Sequence, residues 1–70
     1  MIQNNIQQIV GNNLKKFISN SKFKTQEKFA EAVNNDVRTV RRWIHLGIDK
    51  LNIIIYVAEI LEIDFREFFK

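Results

Sequence analysis

Apolar residues in this chain recur three and four positions apart, the period of an α-helix, and polar clusters interrupt them at short intervals. Ile2, Ile6, Ile9, Val10, Leu14, Phe17 and Ile18 trace one stripe, so a first helix runs to about Ser19. Gly11 lies inside that stripe and disfavours helix, which places the expected start nearer Gln8. After a loop over 20–24, Thr25 is an N-cap candidate, and Glu27 falls in the first turn, where the helix dipole favours an anion. Phe29, Ala30 and Val33 form the inner face of a second helix. Asn34 and Asn35 close it, because Asn tolerates the left-handed conformation better than most side chains. Asp36 then caps a third helix. Val40, Trp43 and Ile44 face inward, Arg38, Arg41, Arg42 and His45 lie on other faces, and Gly47 stops it.

Asp49 is expected to cap a fourth helix. There Leu51, Ile54, Ile55, Ala58 and Leu61 make one stripe, and Ile53, Val57 and Ile60 a second beside it. The β-branched run suits a strand, but the stripe continues too long for one and ends in polar caps. Asp64 opens a last short helix, with Glu67 at capping-box spacing and Ile63 and Phe68 placed for a hydrophobic staple. The expected architecture is all-α, a compact bundle of about five short helices forming one domain over 1–70.

Composition narrows the function classes. An apolar fraction of 46% without proline argues against a disordered tail. There is no cysteine and one histidine, so neither a disulfide framework nor a Cys or His metal site is expected, and the cytoplasm is the natural compartment. The start MIQNNIQQIV lacks the early lysines of a signal peptide, and the longest aliphatic run, Ile53-Ile54-Ile55, is far below a membrane span. The carboxylates are scattered over helix surfaces and caps, with no nucleophile–base set, so an enzyme is disfavoured and no cofactor or small-molecule ligand is expected. Charge is uneven. Met1 to Arg42 holds eight basic against three acidic residues, while Trp43 to Lys70 holds three against five. That asymmetry predicts a basic working face and a neutral or acidic back.

Two short helices, a tight Asn-Asn corner and a basic second helix are the parts of a helix-turn-helix. The major groove of DNA admits one α-helix, and a first helix can hold the second by its apolar face. Small Ala30 permits a close crossing, and Phe29, Val33, Val40 and Trp43 fill the space between. The arginines are left outside because the inner face is occupied.

Four segments together resemble the phage repressor and Cro-like helix-turn-helix domains, the XRE-type regulators. Val10-Gly11-Asn12-Asn13-Leu14 looks like the family's Ile-Gly-x-x-Leu, and Thr25-Gln26-Glu27-Lys28-Phe29-Ala30 like its Ser-Gln-x-x-Leu-Ala. Asp36 to Trp43 looks like Ser-x-x-Thr-Ile-x-x-Trp, and Leu51 to Phe69 like its closing Leu-Ala-x-x-Leu-x-Val-x-x-x-x-Leu-Phe. The resemblance covers nearly the whole chain and implies a lambda-repressor-like fold and a sequence-specific regulator bound to double-stranded DNA, with the recognition helix at about 37–46. It implies base contacts from Val37, Arg38 and Arg42 with Arg41 beside them, and phosphate contacts from Thr25, Gln26, Thr39 and Lys50. There are departures. The family's turn glycine is Asn34 here, and its Arg late in helix 1 and Glu after the Trp position read Ile18 and Ile44. With both partners absent together, the charged contact is expected to be rebuilt as packing.

Paired half-sites about 34 Å apart predict a homodimer, at least on DNA. Its candidate patch is the second stripe of helix 4, Ile53, Val57 and Ile60, with Phe65 or Phe69. The rival reading buries helix 4 all round. Two other functions remain open for the same fold. One is a protein-interaction module, such as an antirepressor or antitoxin, and the other is an RNA-associated adaptor.

Overall fold

A computed structural model describes residues 5–70. Within them the chain forms four α-helices, α1 (Asn5–Asn20), α2 (Gln26–Ala32), α3 (Val37–Leu46) and α4 (Leu51–Leu61), and closes with a 3₁₀ turn over Phe65–Phe69. No strand occurs among the described residues. The Cα radius of gyration is 11.2 Å, about what a compact chain of this length has.

Every element contributes to one apolar cluster. Val10, Leu14 and Ile18 come from α1, Phe29 and Ala30 from α2, Val40 from α3, and Ile54, Val57, Ala58 and Leu61 from α4. Val33 follows α2, Ile48 comes from the loop before α4, and Phe68 from the terminal turn. Among the described residues no polar or charged side chain is buried. Phe68 packs edge-on against Phe17 with ring centroids 5.2 Å apart, and the Asn13 side-chain Nδ2 donates to the Phe68 carbonyl at 2.8 Å. These contacts tie the end of the chain to α1.

The first helix departs from expectation at its start. It is helical from Asn5 rather than from near Gln8, and Gly11 sits within it. Gly11 is buried because α3 passes directly over it. A Cβ there would sit well inside contact distance of the Ile44 carbonyl oxygen. The glycine therefore serves the crossing of α1 and α3, and tertiary packing outweighs its poor helix propensity. Ile6 and Ile9 lie on the exposed side of α1, at 65% and 38% exposure, and do not extend the core stripe. Ile2 lies outside the described residues. Ile18 is buried and Ile44 is half-buried against the same cluster, although the Ile44 carbonyl meets Gly11, about two turns before Ile18.

Further corrections concern the C-terminal half. Asp49 does not cap α4: Lys50 occupies the N-cap position and no side chain bonds the first turn. Val57 is fully buried, and Ile53 and Ile60 are half-buried against the core, so the stripe read as a dimer patch is largely internal. Phe65 is likewise half-buried and packed on the core, which leaves Phe69 as the exposed member of that set. Leu51 and Ile55, expected inside, are exposed together with Tyr56. The terminal turn packs on both α1 and α4, and Phe68 shares the core with Val57, Ala58 and Leu61. That turn is 3₁₀ rather than α. The Asp64 carboxylate accepts from the Arg66 amide and pairs with the Arg66 guanidinium at 2.6 Å, while Glu67 pairs with Lys70 instead of completing a capping box.

Candidate nucleic-acid interface

The corner between α2 and α3 is set locally by the residues the sequence placed there. The Thr25 hydroxyl accepts from the Lys28 amide at 3.2 Å and opens α2. Asn34 takes the left-handed conformation, φ 61°, which reverses the chain. The Asn35 amide donates to the Ala30 carbonyl at 2.9 Å, and its side chain donates to the Val33 carbonyl at 3.2 Å, so the corner satisfies its own backbone groups. Asp36 then accepts from the Thr39 amide at 3.0 Å and starts α3. The Thr39 amide, then its side chain, hold the Asp36 carboxyl below its ordinary value, with smaller help from the Arg38 charge.

Below the corner, Phe29, Ala30, Val33 and Val40 are buried, and Trp43 and Ile44 are half-buried against them. Trp43 is thus chiefly a packing residue. The opposite side of α3 carries Arg38, Arg41, Arg42, His45 and Leu46, all exposed. At about 100° per residue, Arg38 and His45 mark the middle of this arc, Arg41 one flank, and Arg42 with Leu46 the other.

The flanks meet different neighbours. On one side the Arg41 guanidinium pairs with the Glu27 carboxylate of α2 at 3.2 Å. On the other, Arg42 and Lys50 line an open depression of about 400 Å³ with Gln7, Trp43, Leu46, Asp49 and Ile53. Among the described residues neither Arg38 nor Arg42 pairs with a carboxylate. Two guanidiniums without carboxylate partners on one rigid helix can each donate two parallel N–H bonds to a planar acceptor edge or to a phosphate.

The remaining sequence-predicted residues fall around this face. Thr25 is exposed and Gln26 half-buried at the start of α2, and Lys50 is exposed at the start of α4. Val37 and Thr39 are half-buried, and Val37 packs on the core, so it presents only part of its side chain. Sequence reasoning missed Leu46, 64% exposed on the arginine face, and Gln7, which shares the depression with Arg42 and Lys50. Leu46 was detectable, standing four residues after Arg42. Gln7 was not, since its place depends on how α1 passes the loop at Gly47.

No group of His, Cys, Asp or Glu among the described residues is arranged to hold a metal ion. No described helix is long and apolar enough to cross a membrane. No protein-family model, curated protein or solved structure matches this chain.

Proposed function

We propose that this protein is a sequence-specific double-stranded DNA-binding regulator of transcription, a cytoplasmic repressor of the phage or mobile-element type. The observation that carries the reading is the outer face of α3. Among the described residues Arg38 and Arg42 project from it without carboxylate partners, while the inner face is held by the core. In this reading α3 lies in the major groove. Arg38 and Arg42 read base edges, with guanine O6 and N7 the best match for a bidentate guanidinium, and Val37 meets a thymine methyl. Thr25, Gln26, Thr39 and Lys50 contact phosphates and fix the register. A single module of this size reads few bases, so two copies occupy paired half-sites. The exposed apolar residues available for pairing are Leu51, Ile55 and Tyr56 of α4, with Asn52 and Glu59 among them on the same side, and Phe69 of the terminal turn.

Leu46 favours a second reading. An exposed leucine beside Arg42 at the edge of the arginine face suits a protein partner with acidic and apolar groups, as an antirepressor or antitoxin would meet. Binding to a pool of random duplexes, followed by sequence selection, separates the two. The DNA reading predicts enrichment of one motif with guanines at fixed positions. A pool that stays random after repeated rounds contradicts it.

A further inference from the structure

The third arginine of α3, which the family resemblance sets beside the base contacts, is engaged within the protein. Arg41 reaches sideways to Glu27, and both side chains remain more than half exposed, at 51% and 64%. The two residues belong to the two helices of the corner, and Glu27 follows Gln26, a proposed phosphate contact. An exposed pair of this kind contributes little to holding a fold, because water screens it and two long side chains lose freedom. The crossing of α2 and α3 is already fixed by Phe29, Ala30, Val33 and Val40. A carboxylate is also the wrong charge to carry toward a polyanion.

We infer that Glu27 withholds Arg41 from the DNA backbone and so lowers sequence-independent affinity, leaving discrimination to Arg38 and Arg42. The inference rests on the DNA-binding reading. Non-specific binding comes from cations that displace counterions from phosphates, and each such contact steepens the salt dependence. A guanidinium held by its own carboxylate adds no net charge and displaces no counterion. The pair therefore brings no net charge to a duplex. A loosely seated, non-specific complex uses every available cation, and removing one from the supply lowers that complex most.

The test measures the parent, Glu27→Gln and the double variant Glu27→Gln/Arg41→Gln on a duplex of arbitrary sequence across a salt series, with thermal melts as a control for folding. Glu27→Gln releases Arg41 and is expected to bind more tightly, with a salt slope steeper by about 0.9. Its advantage over the parent then shrinks about 3.5-fold between 50 and 200 mM salt. The double variant has the parent's net charge and is expected to match it in affinity and slope. Glu27→Gln with unchanged affinity and slope overturns the inference. So does a double variant that binds more weakly than the parent with a shallower slope, because Arg41 then touches phosphate despite its pairing. A parent that binds no duplex at all fails the DNA-binding reading itself, an outcome distinct from both.

Discussion

At Gly11 two residue-scale effects oppose each other. Alanine in place of an interior helical glycine gains about 1 kcal/mol of helix propensity. The added Cβ, however, would press on the Ile44 carbonyl, a backbone group that cannot rotate away, and overpacking of a tight contact costs about 1–3 kcal/mol. Because the clash is with backbone rather than a flexible side chain, the cost falls toward the upper part of that range, and Gly11→Ala lowers stability by up to about 2 kcal/mol. A denaturant titration reads this directly, and a midpoint equal to or above the parent's would contradict the close crossing of α1 and α3.

Two elements start on aspartates whose carboxyls bond the first turn, and this gives the fold an acid sensitivity with a definite sign. Thr39 holds the Asp36 carboxyl below its ordinary value, and Arg66 holds Asp64 down to about 2. A carboxyl depressed in the folded state stabilises it fully above its unfolded value, near 3.8, and loses that contribution as pH falls through the folded value. The parent should therefore melt above Asp36→Ala by a constant margin near neutrality, and the margin should narrow as pH drops below about 4. A margin that stays constant into acid would remove the cap from the account. Local chemistry of this kind is what the sequence made legible: Thr25, Asn34, Asp36 and Gly47 act within a few residues, and each stands where it was expected. Helix 4 was harder to read. Nearly every position in it is apolar, so periodicity alone does not choose the buried arc, and the choice falls to the elements packed on it, the terminal turn among them. Ile48 was missed for a related reason. It is buried in a loop, where no period exists to mark it. The Glu27–Arg41 pair joins two helices and became visible only once they were packed.

Across the whole molecule the charges divide, with the basic residues concentrated up to Arg42 and the acidic ones after it, and the exposed apolar residues of α4 lie in the acidic half. Pairing through Leu51, Ile55 and Tyr56 would use that half and leave α3 to the duplex. Sedimentation on a palindromic site should then show two chains per duplex, falling to one for Ile55→Asp, and one parent chain at saturation would exclude this pairing. The central claim is that α3 reads sequence, and its most direct measurement compares the parent with Arg38→Ala and Arg42→Ala on the selected duplex and on a scrambled one. Both residues are exposed, so the variants should melt like the parent. Each should lose about 1–3 kcal/mol on the selected site. The loss on the scrambled duplex should be smaller. If both variants bind the selected duplex as tightly as the parent, α3 is not the recognition helix.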